Sequence, residues 1–247
     1  MQKGILIEES LVGMINGKQL KEMAPYPKEI VKTLFPNSEE NDCFIANLCN
    51  RFSKPDFSVW KGAKAMNISV KSGKSDSMGF ENIKSFILYL RLKGVSVETQ
   101  KTILLYHYGD GTMTGTGKTR LTYEQISSLL LPRIQKANVE LNTKAMINCA
   151  LDRFVFKGAK GRVISADFVL FGGSKYGALY SQEQIRKAAT RKRYYYSRSI
   201  HFGPITIQPY LRDVKSESAH QFKRETLQAK WHYMQSDLDQ SFETKEK

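Results

Sequence analysis

The sequence lacks the features of several large protein classes. Its three cysteines, Cys43, Cys49 and Cys149, form no CxxC pair and are odd in number, which favours a reduced, intracellular protein over a disulfide framework. The four histidines are scattered without ligand spacing, so no zinc site is predicted. No apolar run reaches the roughly 18 residues of a membrane span. Glu8 and Glu9 interrupt the region that a signal peptide keeps apolar, so we expect a cytoplasmic protein.

Acidic residues are too few to balance the basic ones. The chain has 38 Lys and Arg against 24 Asp and Glu, which gives a formal net charge of +14. A charge of this size implies an acidic partner. Nucleic acid is the usual one, and a membrane surface is the second possibility.

One segment combines the positive charge with aromatic residues. Residues 184–212 contain no Asp or Glu. They include the candidate nucleic-acid-binding residues Arg191, Lys192, Arg193, Tyr194 and Arg198. Cations neutralise phosphates and tyrosines stack on bases, so the segment predicts nucleic-acid binding. The alternative is a solvated basic helix that runs into a buried strand with its tyrosines in the core.

A β-hairpin is predicted between residues 54 and 71. Apolar and polar residues alternate in both halves, and the segment Lys61 to Lys64 has the length and composition of a hairpin turn. If Trp60 pairs near Ala65 or Asn67, Asp56 falls opposite Ser69 or Lys71 on one polar face. A carboxylate can hold a divalent cation, and a neighbouring lysine can position a water molecule. Such a pair suits phosphodiester hydrolysis.

The order Pro55-Asp56 followed by Ser69-Val70-Lys71 resembles the motif of the PD-(D/E)xK nuclease superfamily. Ser69 stands where the family has an acidic residue. Some restriction endonucleases of this superfamily carry a serine there and take the second carboxylate from the following helix. Glu81, expected in the first turn of such a helix, is the candidate replacement.

The resemblance implies a fold, an activity and a set of roles. The fold is an α/β restriction-endonuclease-like core, with a mixed central sheet flanked by helices and extra basic C-terminal α/β elements. The activity is that of a divalent-metal-dependent DNA endonuclease. Asp56, the Val70 carbonyl and Glu81 would bind Mg²⁺ or Mn²⁺, Lys71 would hold the attacking water, and Ser69 would fill the acidic position. The alternative is a non-catalytic nucleic-acid-binding protein, in which Asp56 and Lys71 are ordinary turn and strand-end residues.

A glycine-rich stretch, His107 to Arg120, invites comparison with the phosphate-binding loop GxxxxGK[ST]. Five residues separate Gly111 from Gly117 where that motif has four, so an NTPase is the weaker alternative. The stretch is better interpreted as a loop that offers Lys118 and Arg120 to a nucleic-acid backbone, or as an ordinary glycine-rich connection. Lys74, just after the second hairpin strand, is also predicted to contact a nucleic-acid backbone.

We divide the 247 residues into an N-terminal helical part (1–53), a nuclease-like core (54–180) and a basic C-terminal region (181–247) packed on the same domain. The helical part is expected to contain three helices, the third over about 42–52. Strands are predicted over 162–171 and 205–210, and a last helix over about 222–234. Because symmetric cleavage of both DNA strands needs two active sites, a homodimer is a hypothesis.

Overall fold

The computed structural model describes residues 3–50, 54–71, 76–117, 120–158, 164–210 and 221–240. The chain forms two compact units. The first contains Met1–Ser75, Val155–Ala188 and Gln235–Lys247, and the second contains Asp76–Phe154 and Ala189–Met234. Each unit is therefore assembled from segments that are not contiguous in sequence.

The elements follow one another as a mixture of helices and strands. The helices are α1 (Lys3–Ile15), α2 (Pro25–Leu34), α3 (Ile83–Leu92), α4 (Val97–Tyr108), α5 (Tyr123–Leu141), α6 (Lys144–Leu151), α7 (Gln182–Ala189), α8 (Gln221–Arg224) and α9 (Met234–Asp239). The strands are β1 (Lys18–Gln19), β2 (Cys43–Leu48), β3 (Phe57–Lys61), β4 (Lys64–Lys71), β5 (Ser77–Asn82), β6 (Phe168–Gly172), β7 (Gly177–Ser181), β8 (Ile200–Phe202), β9 (Ile205–Pro209) and β10 (Thr226–Lys230).

The first unit is built on a six-stranded mixed sheet in the order β1-β2-β3-β4-β6-β7. Neighbouring strands are antiparallel except β4 and β6, which are parallel. Leu11 and Ile15 of α1 and Ile30 of α2 are buried in one core with Phe57 and Ile68 of the sheet. The predicted α/β class, with a mixed sheet flanked by helices, is confirmed at this level.

The predicted hairpin is also confirmed. Trp60 pairs with Ala65, and Phe57 pairs with Ile68. The connection is short because Gly62 adopts a positive φ of 58°, which suits a tight hairpin turn.

The second unit holds a four-stranded antiparallel sheet in the order β5-β10-β9-β8. Phe86 of α3 contacts Phe154 and Phe202, with ring centroids 5.5 Å and 6.0 Å away. The helix α5 continues through Pro132, although proline removes a backbone donor. Ile126 and Ile134, buried on either side of Pro132, provide the packing that keeps the helix intact.

Two of the predicted helices are wrong. Residues 43–48, expected in a helix over about 42–52, form β2, where buried Phe44 and Ala46 alternate with exposed Ile45. Residues 226–230, expected in the last helix, form β10 between β5 and β9. In both segments the apolar residues fit the period of a helix as well as that of a strand. Pairing with neighbouring strands makes both segments strands. No helix in the described ranges is long and apolar enough to cross a membrane.

Two histidines in the second unit predict a loss of stability in acid. His107 and His201 are buried, and burial lowers the pKa of each to about 4. The unfolded chain, with a histidine pKa of about 6.5, binds protons first as the pH falls. Stability is therefore lost between about pH 6.5 and 4, by about 2 kcal/mol per histidine at pH 5.

Urea unfolding at pH 7.5 and pH 5 measures this loss. His107→Gln should reduce this loss, because one buried histidine fewer then has to be protonated on unfolding. Equal pH dependence in wild type and His107→Gln would contradict the expectation.

Candidate functional site

The β3-β4 hairpin gathers three of the predicted site residues around one carboxylate. The N–H of Asp56 donates to the carbonyl of Ile68 at 2.8 Å, which fixes Asp56 just before β3. Asp56 Oδ2 accepts from the Ser69 hydroxyl at 3.1 Å and from the Val70 N–H at 2.5 Å. Burial raises the pKa of Asp56, while these two hydrogen bonds and the charges of Lys71 and Lys54 oppose that rise. The carboxylate is therefore oriented from β4.

Two lysines lie beside this carboxylate. Lys71 ends β4 and pairs with Phe171 of β6, and Lys54 lies two residues before Asp56. Burial lowers the pKa of Lys71, against the attraction of Asp56 and Glu8. Burial also lowers the pKa of Lys54 well below its usual value, and the charge of Lys71 adds to this effect. Lys54 is not among the site residues that the sequence predicts, although it lies only two residues before Asp56.

A second carboxylate comes from α1. Glu8 lies three residues before Leu11 and seven before Ile15, so it shares the helix face that these buried residues direct at the sheet. Burial raises the pKa of Glu8, the Asp56 carboxylate raises it further, and Lys71 lowers it. Glu8 is not among the site residues that the sequence predicts. A carboxylate at helical spacing on an apolar face is the sequence signal that identifies it.

Glu81 has a different environment from the one expected. It lies in β5 of the second unit, opposite Leu227 of β10, and the following helix begins only at Ile83. Its placement in the first turn of a helix is therefore wrong. Its two carboxylate oxygens accept from Arg153, through Nε at 2.8 Å and through Nη2. Burial raises the pKa of Glu81, and Arg153 opposes the rise. Arg153 thus gives Glu81 a structural role in its own unit.

The donor set of the site limits which cations it suits. Across the described ranges, no three His, Cys, Asp or Glu side chains form a metal-binding group. Glu8 and Asp56 supply carboxylates. The Val70 carbonyl faces the same side of β4 as the Val70 N–H that reaches Asp56, since both groups of a strand residue point to the same neighbour. One or two carboxylates with water and phosphate oxygens are the usual magnesium ligands.

Asp167, which precedes β6, is engaged elsewhere in the same sheet. Its Oδ2 accepts from the backbone N–H of Asn67 at 2.8 Å and from the Asn67 side-chain amide at 3.1 Å. These bonds connect the start of β6 with β4. Asp167 is therefore a structural residue.

The candidate nucleic-acid-binding residues have several surroundings. Lys74 and Lys118 lie outside the described residues. Arg120 is half-buried and contributes to lowering the pKa of His107. The ring of Tyr194 is stacked on His201, with centroids 4.6 Å apart. The remaining candidates are exposed: Arg191, Lys192, Arg193 and Arg198.

The glycine-rich stretch folds around Asp110. Its Oδ1 accepts from the N–H and hydroxyl of Thr112, at 2.9 Å and 2.8 Å. Its Oδ2 accepts from the Gly117 N–H at 3.0 Å and from Arg224 at 2.5 Å. Although burial raises the pKa of Asp110, these bonds hold it below its usual value. The amides of Thr112 and Gly117 thus face a carboxylate of the protein itself.

The stretch also has a different context from a phosphate-binding loop. It follows the helix α4, at whose end Gly109 adopts a left-handed conformation. A phosphate-binding loop joins a strand to a helix. The interpretation as an ordinary glycine-rich connection accounts for these contacts.

The fold and the site define a mixed α/β protein with a charged cluster at the edge of a β-hairpin. No family model matches the chain, and no curated protein or solved structure matches it either.

Removing the Asp110 carboxylate should destabilise the second unit. Asp110→Ala leaves Arg224 and two backbone amides without their acceptor, so we expect a loss of about 3–5 kcal/mol. Urea unfolding measures the change. Glu98→Ala is the control, because its exposed pair with Lys101 should contribute less than about 1 kcal/mol. A loss equal to that of the control would mean that Asp110 does not organise the loop.

Proposed function

We propose that the protein is a divalent-metal-dependent DNA endonuclease with its active site in the first unit. The observation that carries this proposal is the fixed position of Asp56. Its Oδ2 is held by Ser69 and Val70 of β4, with Lys71 and Glu8 close enough for their charges to interact with it. These residue types provide what phosphodiester hydrolysis requires, a cation site and a group that orients water.

The sheet of the first unit is compatible with the PD-(D/E)xK resemblance. The motif residues Asp56 and Ser69 to Lys71 belong to adjacent antiparallel strands, and β4 continues into a parallel pair with β6. A mixed central sheet with helices is the arrangement that the resemblance implies. The departure at Ser69 is compensated in our proposal by Glu8 of α1 instead of Glu81.

Mg²⁺ or Mn²⁺ would be held by Asp56, Glu8 and the Val70 carbonyl. The two hydrogen bonds of Asp56 converge on Oδ2, which leaves Oδ1 for a cation. Oxygen donors of this number suit a cation that also keeps several waters and a phosphate oxygen. When bound, the cation would supply Lewis-acid polarisation of the phosphate.

Lys71 would orient the attacking water and stabilise the negative charge that develops on the phosphate. Because burial lowers its pKa, Lys71 exchanges a proton with water more readily than a solvated lysine does. Lys54 would hold a phosphate oxygen. Water attack on phosphorus then breaks the bond to the 3′ oxygen and leaves a 5′-phosphate and a 3′-hydroxyl. Symmetric cleavage of both strands would additionally require a homodimer.

Substitutions in the hairpin should separate cleavage from binding. Asp56→Asn and Lys71→Ala should each reduce plasmid cleavage in Mg²⁺ by at least about 10²- to 10³-fold, because each removes a charge that the reaction requires. Affinity for DNA, measured by fluorescence anisotropy in EDTA, should change little. Asp42→Asn, on a half-buried ion pair with Lys61, is the control.

Two results would reject the nuclease assignment. One is retained cleavage in either hairpin variant. The other is DNA binding without cleavage by the wild-type protein in Mg²⁺ or Mn²⁺, which would identify a non-catalytic nucleic-acid-binding protein, consistent with Ser69 in the acidic position.

Glu8 and Glu9 provide a matched pair on one helix. Glu8→Gln removes the second carboxylate and should lower cleavage by about 10- to 100-fold, with partial recovery at higher Mg²⁺ concentration. Glu9→Gln, on the exposed side of α1, should cleave like wild type. Titration of cleavage rate against Mg²⁺ measures both variants. Indistinguishable titrations would remove Glu8 from the site.

A further inference from the structure

A β-turn of the second unit presents one tyrosine to solvent. The Ser197 N–H donates to the Tyr194 carbonyl at 3.2 Å, which closes the turn over residues 194–197. The Tyr194 ring lies on His201 with 4° between the ring planes, and Tyr195 is half-buried. Tyr196 is 86% exposed, more than any other large apolar or aromatic side chain in the described ranges. Of the three tyrosines in the turn, only Tyr196 thus presents most of its surface to solvent.

The backbone around this turn is held by two buried asparagines. Asn142, at the end of α5, accepts from the Tyr194 N–H at 3.2 Å and donates to the His201 carbonyl at 2.9 Å. Asn138 donates to the Ser199 carbonyl and accepts from the His201 N–H, both at 2.9 Å. Both asparagines are fully buried. The turn is therefore anchored on both sides independently of Tyr196.

The surface next to Tyr196 is positively charged. Arg191, Lys192, Arg193 and Arg198 are all exposed, and no Asp or Glu occurs in residues 184–212. A lone exposed tyrosine is common on protein surfaces. An exposed ring on an anchored turn between cations is the arrangement of a nucleic-acid stacking site, in which cations hold phosphates and the ring contacts a base.

We propose that Tyr196 stacks on an unpaired nucleobase while the adjacent cations hold the flanking phosphates. Inside a duplex, stacked neighbours cover both faces of each base, so the ligand is single-stranded or locally opened DNA. This inference rests on the DNA binding of the proposed function and names the form of DNA that is bound. It assigns the stacking contact to Tyr196 in place of Tyr194, whose ring is already stacked on His201.

Binding in EDTA, where metal-dependent cleavage is prevented, tests the proposal. The probes are a 12-nucleotide single strand containing 2-aminopurine and its blunt duplex. Tyr196→Ala should bind the single strand roughly 5- to 150-fold more weakly and quench 2-aminopurine less. Tyr196→Phe should restore both, because the ring is retained. Tyr233→Ala, at a residue 75% exposed in the same unit, should bind like wild type.

Salt dependence distinguishes stacking from a phosphate contact. Tyr196→Ala should leave the slope of log K against log salt unchanged, whereas Arg198→Gln should reduce the slope for the single strand by about 0.7. Wild-type affinity in Tyr196→Ala would overturn the proposal. An equal loss on single strand and duplex would also overturn it, because the ring would then contact the backbone.

The outcomes also separate this proposal from the nuclease. If binding needs Tyr196 but the protein does not cleave in Mg²⁺, the stacking site is supported and the nuclease assignment is overturned. If the protein cleaves but binds equally well without Tyr196, the nuclease assignment is supported and the stacking site is overturned. A wild-type protein that binds neither probe overturns the stacking site and the DNA binding on which it rests.

Discussion

The hydrogen bond from the Val70 N–H to Asp56 Oδ2 is the contact on which the candidate site depends. Burial disfavours the charged form of Asp56, and a carboxylate in such a position needs donors fixed in space. The backbone of β4 provides one because β4 continues to Lys71, beyond Ile68, which pairs with Phe57 at the start of β3. Strand register therefore determines the orientation of the carboxylate, and with it the position where a cation would be held.

The charges of the cluster are coupled to one another. Lys54, Asp56, Lys71 and Glu8 are partly withdrawn from water, and burial shifts the pKa of each in the direction that favours its neutral form. Opposite charges in the cluster favour the charged forms, whereas Asp56 disfavours the charged form of Glu8 and Lys71 disfavours that of Lys54. Removing one member changes the electrostatic environment of the others, so changes at these positions are not expected to be additive. This coupling is a reason to compare charge-neutral substitutions with matched controls outside the cluster.

The predictable part of the site is the part encoded locally. Strict alternation and a turn containing Gly62 specify the hairpin, and the hairpin register brings Ser69 and Val70 to Asp56. The sequence predicts the second carboxylate in the nearby segment, at Glu81. The structure puts Glu81 opposite Arg153, while Glu8 approaches Asp56 from a helix far away in sequence. Such a contact depends on how α1 packs on the sheet, and the periodicity of one segment does not encode that packing. For the same reason β2 is wrongly predicted as a helix. Its apolar residues fit a helix or a strand, and only its strand partners decide between them.

Two irregular segments of the second unit show how buried polar side chains determine what a loop can offer. Asp110 accepts hydrogen bonds from two backbone amides of the glycine-rich stretch. Those amides point inward and already have a partner. Asn138 and Asn142 bind the backbone on either side of the tyrosine turn, so its backbone is satisfied while the Tyr196 ring remains in solvent. In the sequence, composition alone distinguishes both segments. The buried polar side chains leave the two segments with different binding capacities. An amide that is already bonded inside the fold cannot also bind a phosphate. An exposed ring on a fixed turn can still stack on a base.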